Sequence, residues 1–172
     1  MASIEDVYNT IHRIASGIGE SVLECMGDNA DVVADMVREQ LYSGLDGNGD
    51  YLSPTYDDDP YFSEKGPWQG RAEQYKRWKE RITPPEPSQR LMLPARPVEV
   101  PNLFITGPFH RSIRAELQGD RLTVFTSGFR DGPMIERKYG PQIFSIGVRA
   151  REYFVGNLLR PHLIRFFSSC GY

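Results

Sequence analysis

Residues 109–127 read FHRSIRAELQGDRLTVFTS, and the fold class turns on this stretch. Phe109, Arg111, Ile113, Ala115 and Leu117 alternate with His110, Ser112, Arg114 and Glu116. A period of two sends successive side chains to opposite faces, so the run predicts a half-buried strand whose inner row is apolar apart from the arginine. Gln118, Gly119 and Asp120 supply a short turn, and residues 121–127 return as the second strand of a hairpin.

Downstream, residues 131–140 (DGPMIERKYG) predict a short helix. Pro133 suits its start, Gly140 its end, and Met134, Ile135 and Tyr139 its core side. Residues 142–148 (QIFSIGV) fit either a third strand or an extended connection. Residues 149–167 are apolar at helical spacing through Ala150, Tyr153, Phe154, Leu158, Leu163, Ile164 and Phe167. Pro161 must kink this terminal helix or start a new one.

Upstream, Ile4, Val7, Tyr8, Ile11, Ile14, Ile18 and Val22 recur at three- and four-residue steps and predict a first helix ended by Gly27. Ser3 is its expected N-cap, with Asp6 as the acid of a capping box. Gly17 and Gly19 mark either a kink or close packing. A second helix, capped by Asp28 or Asn29, presents Val32, Val33, Met36, Val37 and Leu41 and stops at Gly44. A third, basic and amphipathic, covers residues 70–82, with Tyr75, Trp78 and Ile82 on one side.

Two segments show no period. Residues 45–69 are rich in Gly, Pro, Asp and aromatics, and residues 83–101 hold six of the 13 prolines. Aromatic content argues against plain disorder in the first, so both read as irregular arms that pack on something, another subunit included. Residues 84–98 offer almost no periodic apolar face. Their removal is therefore expected to leave the body folded and to impair assembly. The sum is a single α+β domain over residues 1–172, a small antiparallel β-sheet packed against N-terminal and C-terminal helices, with irregular arms at about 45–69 and 83–101.

At 172 residues, 40% hydrophobic and 25% charged, the chain has the composition of one ordinary globular domain. No apolar run approaches the roughly 20 residues of a membrane helix, and the acidic start of MASIEDVYNTIHRI does not resemble a signal peptide. No membrane partner is expected. Cys25 and Cys170 stand far apart without a CxxC partner, so neither thiolate metal binding nor a disulfide framework is expected. Charge is distributed unevenly: residues 1–69 carry 14 acids and 3 bases, while residues 70–172 carry 9 acids and 17 bases. Either folding mixes the two halves, or they form complementary faces that set the register of head-to-tail association.

Chemistry is hard to find. His12, His110 and His162 lie in no metal-ligand or catalytic pairing, and each has a bland place: helix surface, polar strand face, helix start. No GxSxG elbow and no phosphate-binding glycine loop is present. No catalytic residue, cofactor or metal is expected. Asp46, Asn48 and Asp50 imitate the first half of a calcium loop, but Tyr51 stands where glycine is needed and Asp57 where a bidentate glutamate is usual. A turn is the expected role. The basic helix offers Arg71, Lys76, Arg77, Trp78 and Lys79 as interaction residues, with the lysines expected on the surface. Bases interleaved with aromatics can grip nucleic acid, but Glu73, Glu80 and a sequence pI near 5.6 weigh against a dedicated binder, and no specific nucleic-acid partner is expected.

Three short motifs in the last 70 or so residues resemble the phage tail-completion and virion-morphogenesis families. Ile105-Thr106-Gly107-Pro108-Phe109-His110-Arg111-Ser112-Ile113 is similar to the families' "TG, two residues, SI" element ahead of a β-hairpin, with two extra residues in the gap. Residues 122–127 match the following strand, residues 135–140 the segment ending in "KYG", and Leu159-Arg160-Pro161 the "LRP" step into a terminal helix. The two arms depart from the compact family pattern. The resemblance implies a structural virion protein of the head-tail neck or tail terminus, a homo-oligomeric ring subunit that touches neck, portal-adaptor or tail-tube proteins and catalyses nothing. It implies residence in the virion after synthesis in the host bacterial cytoplasm. Two alternatives stand beside it: a nucleic-acid-binding or regulatory module built on residues 70–82, and an enzyme using Asp46, Asp50 and Asp57, Asp58 and Asp59.

Overall fold

A computed structural model describes residues 3–82 and 90–172. Helix α1 spans Ile4–Asp28 and opens on the expected capping box: the Ser3 hydroxyl accepts from the Asp6 N–H, and the Asp6 carboxylate accepts from the Ser3 N–H. Gly17 is there for close packing, since a Cβ at that position would lie 3.1 Å from the Phe166 ring. Gly27 does not end the helix. The stop is Asn29, whose side-chain amide turns back to donate to the Cys25 carbonyl at 2.8 Å. Helix α2 (Ala30–Tyr42) follows at once and forms the centre of the molecule, burying Val33, Ala34, Met36, Val37, Gln40 and Leu41.

Strands β1 (Ile113–Gln118) and β2 (Arg121–Thr126) pair antiparallel in the register Ile113↔Thr126 through Gln118↔Arg121. Gly119 turns the chain with φ +65°, which suits the first central position of a tight hairpin turn. Ile113 and Ala115 face α2 while Arg114, Glu116 and Gln118 face out, as a period of two requires. The fold is α+β, with helices over one face of this sheet.

The strand begins four residues later than its alternation suggests. Phe109 to Ser112 belong to a short helical turn, α4 (Pro108–Ser112). Gly107 takes a left-handed conformation at φ +88° and Pro108 fixes the next φ for a helix start. Phe109, His110 and Ser112 are then all buried, which a strand could not arrange. Helix α5 (Gly132–Tyr139) forms as expected. Residues 142–148 make no third strand: Pro141–Phe144 is a 3-10 turn that drives Ile143 into the core, and among the described residues the sheet has two strands.

The C-terminal helix changes geometry at Pro161, as expected. It runs on from α6 (Val148–Tyr153) through a π-helical stretch (Phe154–Leu159) into α7 (Arg160–Ser169). In the wide stretch the Arg160 N–H donates to Val155 O, five residues back. Pro161 has no N–H to give, and its ring would crowd the carbonyl four residues earlier in α geometry. The wider turn just before it absorbs the proline without ending the helix.

The arms belong to the body. In the first, Leu52 joins the main core, Tyr56 and Phe62 are buried against Tyr75 of helix α3 (Ala72–Ile82), and Asp59 pairs with Lys138. In the second, Leu91 and Val100 join the main core. The Glu39 carboxylate accepts from the Arg90 and Leu91 N–H groups at 3.1 and 3.2 Å. The Arg149 guanidinium donates to Met92 O at 3.1 Å. Residues 84–98 were expected to offer almost no periodic apolar face, yet Leu91 among them is buried in the main core. Residues 83–89 of that arm lie outside the described residues.

Candidate functional site

Helix α3 was the sequence's candidate, and the structure divides its five residues. Arg71 and Arg77 are exposed. Lys76 is tied down between Asp57, at 2.7 Å, and Glu73. Trp78 is half-buried, its ring 5.5 Å from that of Trp68 and 5.2 Å from that of Tyr75. Lys79 is inside, with 1% of its surface exposed. The row of surface bases is thus broken, and the expectation of an exposed Lys79 is corrected. Its position carried the signal. Lys79 lies four residues after Tyr75 and three before Ile82, on the same stripe as those two and Trp78.

The buried Lys79 Nζ donates to Asn102 Oδ1 at 3.0 Å, and the Phe104 N–H donates to the same oxygen at 3.2 Å. His110 Nε2 lies 2.8 Å from Asn102 O, which makes it the protonated nitrogen. Its Nδ1 is buried with no hydrogen-bond partner among the described residues. Burial, with Arg96 nearby, lowers the Lys79 pKa to about 8. Burial, followed by the positive charges of Lys79 and Arg38, lowers that of His110 to about 4, against the opposing bond to Asn102. Lys79, Asn102 and His110 are all closed to solvent. They lock α3 and the second arm onto α2 and α4. The assignment of His110 to a polar strand face missed this; the Gly107-Pro108 start signal pointed to it.

In the acidic arm, Asp46 Oδ1 accepts from the Asn48 and Asp50 N–H groups at 2.8 and 3.1 Å, closing the turn. Asp57 holds Lys76, Asp58 accepts from the Thr55 hydroxyl, and Asp59 holds Lys138 and the Tyr61 N–H. These carboxylates fasten the arm. Among the described residues no three His, Cys, Asp or Glu side chains are grouped to hold a metal. Both cysteines are buried free thiols.

The surface that lacks cover is helical. Helix α1 packs antiparallel to α7: Thr10 lies beside Gly171, Gly17 against Phe166, and Ser21 Oγ 3.0 Å from His162 Nε2. The turns before Thr10 therefore overhang the end of α7. Their apolar stripe is open, with Ile4 92%, Val7 50%, Tyr8 66% and Ile11 61% exposed. The outer face of the C-terminal helix is open as well, with Val155 at 54% and Ile164 at 55%. Apolar residues at helical spacing that fold into a helix and still face water mark an interaction surface.

The charge asymmetry resolves along the same line. Lys76–Asp57, Arg90–Glu39 and Lys138–Asp59 pair the basic part of the sequence with the acidic part inside one chain. Separation survives on the two overhanging helices. Ile4–Asp28 carries five acids and one base, and residues 148–172 carry four arginines and one acid.

No protein-family model, no curated protein and no solved structure matches this chain. The likeness of the last 70 or so residues to tail-completion proteins rests on the short motifs alone. Their structural parts are local. Gly107 is the left-handed residue before α4, Gly140 ends α5, and Leu159-Arg160-Pro161 is the step from the π stretch into α7.

Proposed function

We propose that this chain is a structural protein of a phage virion, a subunit of a ring at the head-tail neck or tail terminus, with no reaction to catalyse. The observation that carries the reading is the open stripe of Ile4, Val7, Tyr8 and Ile11 on a well-capped helix that overhangs its own body. A monomer that functioned alone would gain by covering or losing such a stripe, because apolar area left in water forgoes about 25 cal/mol per Å². An assembly subunit needs it. The short motifs of residues 105–113, 135–140 and 159–161 supply the kind of assembly, and the neighbours would be neck, portal-adaptor or tail-tube proteins.

Helix α3 supports the nucleic-acid alternative less than its sequence did, because Lys79 is buried and Lys76 is held by two carboxylates. The test is particle composition. Mass spectrometry of purified particles from the strain that carries the gene should find the chain in ring-like copy number. Deleting the gene should leave filled heads and finished tails unjoined. Particles that lack the chain, together with undiminished infectivity of the deletion, would sink the reading.

A further inference from the structure

We infer that the overhanging first turns of α1 dock on the outer face of the C-terminal helix of a second copy, head to tail. The inference rests on the reading of the chain as an assembly subunit and names the contact that builds the assembly.

Continuity comes first. The exposed Ile4, Val7 and Ile11 belong to one stripe with Ile14 and Ile18, spaced alternately three and four residues apart. Behind the overhang, the neighbouring row of α1 already runs along the C-terminal helix of its own chain, where Gly17 meets Phe166 and Ser21 meets His162. The packing of α1 on a C-terminal helix is thus already present within one chain.

The receiving face is also built in line. The Arg160 N–H bonds to Val155 O, so the wide turn brings Arg160 above Val155. Ile164 follows one α-helical turn later. Val155, Arg160 and Ile164 thus form a row of apolar and basic groups, all exposed.

Charge selects between pairings. Self-pairing of two overhangs would set Glu5 and Asp6, the two acids of residues 4–11, which hold no base, against themselves. Meeting residues 155–165, with Arg160 and Arg165 and no acid, sets opposite signs together. Glu5 follows Ile4 on the overhang, Arg160 stands within the receiving row, and both are exposed. A contact between two different surfaces is heterologous, and its repetition closes a ring where the rotation allows. A symmetric pairing of α1 with α1 would stop at two.

The test measures the mass of the full chain in solution, by sedimentation and light scattering, with circular dichroism to check each variant's fold. The parent should self-associate, and more weakly as salt rises. Ile11→Asp should weaken association at least about tenfold, as expected where a central apolar contact is lost. Glu5→Arg and Arg160→Glu should each weaken it, and the two together should restore most of it. An unchanged mass distribution for Ile11→Asp would overturn the inference. So would a double variant no better than the single ones, even if Ile11→Asp dissociates the parent. A parent that stays monomeric up to near-millimolar concentration at low salt would overturn it too. If that monomer is still found in particles, the neck reading stands without this contact.

Discussion

Replacing Lys79 with methionine should make the protein more stable at neutral pH and should do so by an amount that shrinks as pH rises. The ammonium is closed to solvent, and its pKa is lowered from 10.5 to about 8 by burial and by Arg96. The unfolded chain therefore holds this proton more tightly than the folded one between those two values. Folding with the charge in place costs about 3 kcal/mol at pH 7 and about 1 kcal/mol at pH 10, at roughly 1.4 kcal/mol per pKa unit. Methionine keeps a similar length without the charge. It forfeits the hydrogen bonding of Nζ, the bond to Asn102 Oδ1 included, while the Phe104 N–H still satisfies that oxygen. The gain should shrink by about 2 kcal/mol between pH 7 and pH 10. Urea unfolding followed by circular dichroism at both pH values measures it. Buried Tyr56 and half-buried Tyr75 and Tyr139, whose pKa values are raised chiefly by desolvation, act in both proteins and cancel in the difference. A difference between the two proteins that does not change with pH would refute the account of Lys79 as a charge buried against its preference.

Other expectations follow from the same contacts. His110, with its pKa lowered to about 4, binds its proton more weakly when folded, so stability should fall as pH drops from about 6.5 towards 4, by up to about 3 kcal/mol. Its ring signals in NMR should titrate below pH 5. Leu91→Ala should cost about 2–4 kcal/mol in urea unfolding, because Leu91 sits in the main core; a cost near zero would return the second arm to the surface. Gly47→Ala places a Cβ 2.5 Å from the Ser145 carbonyl oxygen and should cost about 1–3 kcal/mol, read as a lower urea midpoint.

The hairpin was legible because its signal is local. Six residues with a period of two, a Gly-Asp turn and six more residues fix both register and face. Helices α1 and α2 were legible for the same reason, through spacing and caps. The errors arose where a local pattern had two readings. Alternation over residues 109–112 fits a strand, but Pro108 after a left-handed Gly107 starts a helical turn, and the helix won because it buries Phe109, His110 and Ser112 together. Pro161 read as a kink or the start of a new helix, and it stands in the first turn of α7 just past the wide turn. The arms read as packing on something unspecified because their buried residues, at Leu52, Tyr56, Phe62, Leu91 and Val100, are too far apart in sequence to make a period.

The candidate surface was half-legible, and the reason is physical. A stripe of apolar residues predicts that a helix face will be covered, without saying by what. Along α1 the same stripe is half-buried from Ile14 onward and left open at Ile4, Val7 and Ile11. Conversely, α3 looked like the exposed basic element because its charges were counted without their partners. Folding brings Asp57 to Lys76 and Asn102 to Lys79, from residues 19 and 23 positions away. Electrostatic surfaces are what remains after such pairing. In this chain the pairing consumes the charges of the arms and of α3 and leaves the acids of α1 and the arginines of the C-terminal helix facing outward, one beside each open apolar row.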